Sequence, residues 1–328
     1  MPAPTDHGPA LDLDSAEALL RRLEFTVRNK LDGLLQGNYQ GLVPGPGSEA
    51  GEARQYVVGD DVRRMDWAVT ARTTVPHIRQ TIADRELETW LVVDLSPSMD
   101  FGTGLTEKRE LVLAAITTVV HLTVRGGNRV GAVVGNGFDT YVVPARGGRA
   151  HARHLMRRIA TTPRAPGGLA ADESRRRPDL GAMLESLRRP QRRRGLVAVV
   201  SDFLDSTSGA DYENPSWERA RRSLSDRHQL LAIEVLDPRE LELPSAGLVT
   251  FVDTETGRQV EVQTSDKQVR ARYAEQARKQ RDHIAAALRH SGAAHLQLRT
   301  DREWIGDVVR FVIARRKFVS GAVGTAVR

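Results

Sequence analysis

One short stretch, Trp90 to Gly102, constrains this chain more than any other part of its sequence. The first four residues, WLVV, are aromatic, aliphatic or β-branched, which is typical of a strand that is buried on both faces. Asp94 ends the apolar run, and Ser96 and Ser98 follow at alternate positions, with Pro97 between them to stiffen the loop. Three short oxygen-bearing side chains therefore leave the end of a buried strand within five residues.

The polar loop after this strand allows two interpretations. Hard divalent cations prefer oxygen ligands, and ligands of open α/β sheets bind outside the carboxyl ends of the strands. The loop would then form a site for Mg²⁺ or Mn²⁺. In the other interpretation, the aspartate and the two serines cap the helix that follows. The residues of the loop alone do not decide between the two.

Two patterns resemble those of known families. Asp94-x-Ser96-x-Ser98 resembles the first loop of the metal-ion-dependent adhesion site of von Willebrand factor A domains. Residues 54 to 72 resemble the signature of the domain-of-unknown-function family 58, which precedes a von Willebrand A-like domain; the resemblance extends over residues 37 to 317. The signature residues are Arg54, Tyr56, Gly59, Asp60, Asp61, Arg63, Arg64, Asp66, Trp67 and Arg72.

The first resemblance implies a set of metal ligands. Asp94, Ser96 and Ser98 would be ligands of the first loop, and Asp202 would be the third-loop aspartate that faces the ion directly or through water. Asp202 ends another apolar strand, in the sequence SDFLD. Because the carboxyl ends of parallel strands meet at one edge of a sheet, Asp94 and Asp202 can converge although they are far apart in sequence.

The second loop of the site departs from the family pattern. This loop normally supplies a threonine just before a helix, but Pro178 stands at that place and has no side-chain oxygen. Asp179 could supply the missing ligand of the second loop, and Thr161 or Thr162 of the preceding loop is the other candidate. The resemblance therefore implies an incomplete site that holds Mg²⁺ or Mn²⁺ weakly.

The signature segment is dense in opposite charges. Its arginines and aspartates can hold a compact segment together through bidentate pairs, or can serve as a docking surface for a partner. A structural network is the interpretation we favour, since buried pairs more often fix local geometry. Trp67, the large aromatic of this segment, is expected to be buried and to anchor it to the main domain.

The order of predicted elements favours an α/β fold. From Glu86 onward, strands and helices alternate, which predicts a doubly wound, mostly parallel central sheet flanked by helices, of the von Willebrand A-like kind. An N-terminal helix and a small irregular or β segment precede it. The predicted division is a disordered N-terminus (1–14), the helix and signature segment (15–84), the α/β domain (85–317) with an insertion (237–264), and a loose C-terminal tail (318–328).

Composition excludes several classes of function. The chain has no cysteine, so disulfides and thiolate chemistry are excluded. No stretch has the roughly 18 apolar residues of a membrane span, and the N-terminus does not resemble a signal peptide, so we expect a cytoplasmic protein without a membrane span. A nucleophile elbow and a phosphate-binding glycine loop with its lysine are both absent, which argues against an enzyme.

The chain is strongly basic, with 43 arginines, five lysines and a net charge of +6. A basic surface can bind nucleic acid or an acidic partner. The arginines are spread over many helices without accompanying aromatics, which favours a coding bias over a nucleic-acid site. Nucleic-acid binding through this arginine-rich surface is therefore the alternative function.

The function that we expect is recognition of other proteins without catalysis. The family resemblance implies a MoxR-type AAA+ ATPase as partner, together with a client protein whose maturation or assembly the pair assists. An ion on Asp94, Ser96, Ser98 and Asp202 would leave a position open for a carboxylate of the partner.

Overall fold

The computed structural model describes residues 11–32, 53–56, 65, 67–79, 88–125, 127–164, 179–187, 195–204, 215–225, 228–252 and 259–325. The strands are β1 (Ala53–Gln55), β2 (His77–Arg79), β3 (Glu88–Asp94), β4 (Arg129–Gly135), β5 (Thr140–Arg146), β6 (Gly195–Ser201), β7 (Gln229–Leu236), β8 (Leu248–Val252), β9 (Gln259–Gln263) and β10 (Ala294–Arg299). The helices are α1 (Leu13–Asp32), α2 (Trp67–Thr73), α3 (Lys108–Arg125), α4 (Arg149–Ala160), α5 (Leu180–Ser186), α6 (Ser216–Ser225), α7 (Lys267–His290) and α8 (Trp304–Thr325).

Six strands form the central sheet in the order β10-β7-β6-β3-β4-β5. Every neighbouring pair is parallel apart from β4 and β5, so the predicted doubly wound, mostly parallel sheet is confirmed. The chain adds β4 and β5 on one side of β3 and the later strands on the other side. The strand order thus reverses beside β3, where open α/β sheets bind their ligands. Val93 pairs with Val200, which places Asp94 beside Ser201 at the carboxyl edge.

Helices cover both faces of the sheet, and the residues of β3 are divided between two cores. All seven residues of β3 are buried, as the apolar sequence predicts. Leu91 and Val93 belong to one core with side chains of α1, α3, α4 and α8. Trp90 and Val92 belong to the other core with side chains of α5, α6 and α7. This division follows from the two-residue alternation of side chains along a strand.

The N-terminal helix α1 is part of the first core. Its stripe of Leu20, Leu23, Val27 and Leu31 is buried, as the three- and four-residue spacing predicts. The helix begins two residues before the predicted start because Asp12 acts at its N-terminus: the Asp12 carboxylate accepts hydrogen bonds from the N–H and the hydroxyl of Ser15, at 2.8 and 2.9 Å. Asp12 therefore acts as the N-cap of α1.

The last helix is longer than the sequence indicates. The loose tail expected from residue 318 onward is helical as far as Thr325. This stretch contains no proline to end the helix. None of the helices in the described ranges combines the length and the apolar character that crossing a membrane requires.

The signature segment contains a small sheet and a short helix. β1 and β2 pair in antiparallel fashion, and α2 lies between them in the chain. Trp67 begins α2 and is 71% exposed, so the expectation that it is a buried anchor is wrong. Hydroxyl groups fasten α2 to β2 instead: Thr70 Oγ1 accepts from the His77 N–H at 2.9 Å, and Thr73 Oγ1 lies 3.1 Å from His77 Nδ1.

Most residues of the signature lie outside the described residues. These are Gly59, Asp60, Asp61, Arg63, Arg64 and Asp66, together with the side chain of Arg54. The predicted arginine–aspartate network therefore stays a prediction. Tyr56 is described, and its N–H donates to Pro76 O at 2.8 Å, next to β2. Arg72 lies in the last turn of α2 with an exposed side chain.

Candidate functional site

The loop after β3 forms the first part of the candidate site. Asp94 Oδ1 accepts from the Ser96 N–H at 2.9 Å, and Oδ2 accepts from the Ser201 hydroxyl at 2.7 Å. The hydroxyl oxygens of Ser96 and Ser98 lie 3.2 Å apart, at the start of a 3-10 turn that includes Pro97. The three side chains predicted as first-loop ligands therefore lie together at the carboxyl edge of the sheet.

Asp202 lies at the end of β6, close to Asp94, and a buried lysine neutralises its charge. The Asp202 Oδ2 atom accepts from Lys108 Nζ at 2.8 Å, and Oδ1 accepts from the Leu204 N–H at 3.0 Å. Lys108 is the first residue of α3 and is fully buried. Its ammonium group also donates to Glu240 Oε1 at 2.5 Å. Lys108 thus joins β6, α3 and the turn after β7 through two carboxylates.

The backbone after Asp202 adopts an uncommon conformation. Phe203 has a φ of 57°, in the left-handed region that bulky residues rarely occupy. The Phe203 N–H donates to Ser201 Oγ at 3.0 Å, and the Phe203 carbonyl accepts from Trp217 Nε1 at 3.3 Å. These two bonds hold the turn, because a backbone in this region persists only where its surroundings fix it.

The two aspartates have opposite pKa shifts. Burial raises the pKa of Asp94, and the nearby charge of Asp202 raises it further. Burial would also raise the pKa of Asp202, but the ammonium group of Lys108 outweighs it and lowers that pKa. Burial alone would lower the pKa of Lys108, yet Asp202 and Glu240 raise it, so the ammonium form is favoured. Of the two aspartates, Asp94 is the one that takes up a proton first.

A second set of ion pairs extends from this cluster toward β10. Arg281 of α7 donates to the Asp202 carbonyl at 2.8 Å and to Glu234 Oε1 at 3.0 Å. The other oxygen of Glu234 accepts from His295 Nε2 and Gln297 Nε2, both at 2.8 Å. Burial would raise the pKa of Glu234, but these partners lower it. Every described carboxylate of this set therefore has a cationic or amide partner.

The loop between Asp94 and α3 is fastened to the end of β7. Asp237 accepts from the N–H and the hydroxyl of Thr103, at 2.7 and 2.6 Å, and from the hydroxyl of Thr300 at 2.6 Å. Gly104 lies so close to Thr300 that an added Cβ would be 2.4 Å from its carbonyl. Only glycine fits there, because a Cβ would overlap with the Thr300 backbone. The Asp237 bonds and a bond from the Leu105 N–H to Thr300 O at 2.6 Å hold the loop at the carboxyl edge.

The side chains considered for the second loop have structural partners. Asp179 is the N-cap of α5, and its carboxylate accepts from the Ala182 N–H at 2.6 Å. The hydroxyl of Thr162 lies 2.7 Å from the Tyr141 hydroxyl, and the hydroxyl of Thr161 donates to Arg157 O at 3.0 Å. Pro178 lies outside the described residues.

The donor atoms fit a divalent cation in part. Asp100 is paired with Arg109 at 2.6 Å and Asp202 with Lys108, whereas the Asp94 carboxylate has only an N–H and a hydroxyl as partners. Within the described ranges, no group of three or more histidine or carboxylate side chains is arranged around a common point. The set that fits an ion is thus one carboxylate, Asp94, with two hydroxyls and water.

Sequence reasoning missed the partners of the two aspartates. The sequence presents Ser201 only as the end of a strand and Lys108 only as the start of a helix, and it assigns no role to Glu240, Glu234 or Arg281. One usable indication is the rarity of lysine: five stand against 43 arginines, and one of them opens a helix that is apolar nearly all round. The compact ammonium group of lysine can donate to two carboxylates at once, as Lys108 does to Asp202 and Glu240.

The comparisons with known proteins agree with the signature. Residues 52–283 match the family described as "Protein of unknown function DUF58". The chain belongs to this family. An uncharacterized protein of Mycobacterium tuberculosis is 50% identical over 316 residues, which cover 95% of each chain. An uncharacterized protein of Mycobacterium avium is 46% identical over 175 residues, which cover 53% of this chain and 94% of that one.

Solved structures overlap with the chain only loosely. The conserved hypothetical protein BatB from Bacteroides thetaiotaomicron overlaps with a TM-score of 0.39 at 14% identity, covering 70% of this chain and 99% of that one. A von Willebrand factor type A protein from Catenulispora acidiphila overlaps with a TM-score of 0.35 at 13% identity, covering 74% of this chain and 43% of that one. The fold of this chain is therefore assigned from its own strand order and strand directions.

Proposed function

We propose that this family member is a protein-binding module without catalytic activity, and that it recognises its partner at the carboxyl edge of the sheet. The observation that carries the proposal is that the buried carboxylate of Asp94 has no cationic partner among the described residues. This carboxylate accepts only from neutral donors, the Ser96 N–H and the Ser201 hydroxyl, and it lies where the strand order reverses. Asp237 also has neutral donors only, but it follows β7, away from that point, and its bonds fasten the loop at Thr103. A buried carboxylate without a cationic partner is costly, so binding of a cation would stabilise it.

In the proposed mechanism, Asp94, Ser96 and Ser98 hold Mg²⁺ or Mn²⁺. The bound ion would supply the positive charge that a carboxylate of the partner recognises. Asp94 provides one anionic oxygen, the two serines provide neutral oxygens, and water completes the octahedron that Mg²⁺ requires. Lys108 neutralises Asp202 and so limits the negative charge at the edge, which favours a weakly held ion.

The partner that we propose, by resemblance to the family, is a MoxR-type AAA+ ATPase acting with a client protein in maturation or assembly. Trp67 is a candidate second contact, because its indole is 71% exposed at the start of α2. Tryptophan is enriched among the residues that dominate binding energy in protein interfaces. At Trp67, the exposure therefore favours a docking surface for a partner over a purely structural role of the signature segment.

The first test is cation binding by the full chain. Isothermal titration calorimetry with Mg²⁺ and with Mn²⁺ is expected to show weak binding that Asp94→Ala abolishes. Asp94 lies at a strand end, where truncation removes little apolar burial, so the variant should stay folded. Asp139→Ala is the matched control, because Asp139 is an exposed aspartate of the β4–β5 turn. Equal binding by wild type and Asp94→Ala would contradict the proposed ligand set.

The second test is partner binding. The purified MoxR-type ATPase of the same organism is immobilised, and the affinity of the full chain is measured with Mg²⁺ and with a chelator. The proposal expects a loss of about tenfold or more with the chelator, equivalent to about 1.4 kcal/mol. Unchanged affinity would contradict metal-bridged recognition. Binding to duplex DNA that weakens steeply with salt and ignores the chelator would favour the nucleic-acid alternative instead.

A further inference from the structure

A cavity of about 450 Å³ lies between α1, α3 and α4, away from the candidate site. α4 begins just after β5, whose last residue, Arg146, pairs with Val130 at the start of β4. The cavity is therefore near the amino edge of the sheet, whereas Asp94 lies at the carboxyl edge. Its volume falls in the range of small-molecule sites, roughly 300–1,000 Å³. Nothing in the proposed function uses this cavity.

Three arginines line the cavity, and unlike neighbouring arginines they form no ion pairs with described residues. Arg28 comes from α1, while Arg149 and Arg153 stand one turn apart on α4 and so share a face. None of the three has a hydrogen bond or an ion pair with any residue that the structure describes. By contrast, Arg157 of the same helix pairs with Glu17, and Arg22 of α1 pairs with Glu110. The arginines that bind α1 to the domain are paired, and those around the cavity are not.

The charge of the lining indicates the charge of a ligand. The three arginines and Glu24 together give a formal charge of +2 at neutral pH. Arg149, the first residue of α4, is one of the lining residues, and the N-cap Gly148 has no side chain to accept from the first N–H groups of the helix. A phosphate monoester carries about −1.5 to −2 charges at pH 7, which matches this lining better than a single carboxylate does.

The inner wall of the cavity is apolar. Val120 of α3 and Met156 of α4 line the cavity, are buried and belong to the first core. A ligand that fills the cavity therefore needs an apolar portion as well as an anionic group. Guanidinium groups bind phosphate oxygens in a bidentate fork, which fixes the orientation of such a ligand.

We propose that the cavity between α1, α3 and α4 is a binding site for a phosphate monoester with an apolar body, held by Arg28, Arg149 and Arg153. The phosphate lies against the three guanidinium groups, and the apolar body lies against Val120 and Met156. The ligand bridges α1 and α4 and so links the N-terminal helix to the domain. Such a group occurs on soluble metabolites and on phosphatidic acid, and the experiment separates these two sources.

The test uses the full chain and n-hexyl phosphate as the probe, titrated by calorimetry at low salt. We expect saturable binding, and binding at least about tenfold weaker for inorganic phosphate, which lacks the apolar body, and for hexyl sulfate, which carries one negative charge. Arg28→Ala and Arg153→Ala should each reduce the affinity by about tenfold or more, the scale of a lost charged hydrogen bond. Arg272→Ala is the matched control, because Arg272 is exposed on α7, on the opposite face of the sheet.

Vesicle co-sedimentation distinguishes the sources of the phosphate. If the natural ligand is a lipid, vesicles containing phosphatidic acid bind the wild type, and Arg28→Ala and Arg153→Ala release it, while phosphatidylcholine vesicles bind neither. If it is a soluble phosphate, hexyl phosphate binds and the vesicles do not. The proposal is overturned if neither probe binds, if inorganic phosphate binds as well as hexyl phosphate, or if both arginine variants bind like Arg272→Ala. Unfolding curves of the variants verify that the fold is intact.

Discussion

Replacing Lys108 by methionine should destabilise the protein strongly, because it removes the shared partner of two carboxylates. The ammonium group is fully buried and donates to Asp202 at 2.8 Å and to Glu240 at 2.5 Å. Hydrogen bonds to charged groups contribute about 1.5–3 kcal/mol each, and the loss of one partner of a buried pair costs about 3–5 kcal/mol. Glu240 is 16% exposed and can recover some hydration, whereas Asp202 cannot. We therefore expect a loss of about 3–5 kcal/mol.

The assay is unfolding by heat and by guanidinium, followed by circular dichroism. For a chain of this size, each kcal/mol corresponds to about 2 °C, so the Tm of Lys108→Met should fall by about 6–10 °C. Lys279→Met is the matched control, since Lys279 pairs with Glu275 on the exposed surface of α7, where ion pairs contribute about 0–1 kcal/mol. A Tm for Lys108→Met within 1–2 °C of the control, a difference under about 1 kcal/mol, would refute the role of Lys108 as the buried counter-ion.

The pH dependence of this variant provides a second check. In the wild type, the pKa of Asp202 is lowered, so its contribution to stability is present above its unfolded pKa and is lost as the pH falls through the native one. Without Lys108, burial would raise the pKa of Asp202 above its unfolded value. Ionised Asp202 then destabilises the variant at neutral pH. The stability difference from wild type should shrink between pH 7 and pH 5, and a difference that grows on acidification would contradict this account.

Three further predictions follow from single contacts. Asp179→Ala should lose the cap of α5 and about 1 kcal/mol of stability in guanidinium unfolding, without any change in the heat of Mg²⁺ binding. Trp67→Ala should change the unfolding free energy by less than about 0.5 kcal/mol, because the indole is exposed, yet it should weaken binding to the immobilised ATPase about tenfold. Gly104→Ala should place a Cβ 2.4 Å from the Thr300 carbonyl and destabilise the chain by about 1–3 kcal/mol, measured by the Tm.

The sequence predicted those features that depend on periodicity and on chain order. Trp90 to Val93 form a run that only a doubly covered strand can bury, and β3 is that strand. The proximity of Asp94 and Asp202 follows from two parallel strands that end at the same edge, and it needs no knowledge of packing. Both features therefore follow from the order of the residues along the chain.

The features that the sequence did not predict depend on the orientation of single side chains, which tertiary packing determines. Lys108 opens a helix, a place where a lysine commonly lies in solvent, and only the packing of α3 directs its ammonium group toward Asp202 and Glu240. The size of Trp67 favours a core position, although the residue is exposed. The hydroxyls of Thr70 and Thr73 provide the attachment of α2 instead, and no periodic pattern indicates this. Local propensity does not contain such tertiary information.

The position of α1 also has a consequence during synthesis on the ribosome. The helix is made before the groups it binds: the Glu17–Arg157 pair spans 140 residues and the Arg22–Glu110 pair spans 88. At about 5–20 residues per second, the apolar stripe of α1 waits on the order of ten seconds before α4 emerges. Until α3 emerges, Leu20, Leu23 and Val27 have no native surface to cover them, and α4 completes that surface later. A ribosome-associated chaperone that binds apolar helices should therefore engage the nascent chain at α1, and release it once α4 has been made.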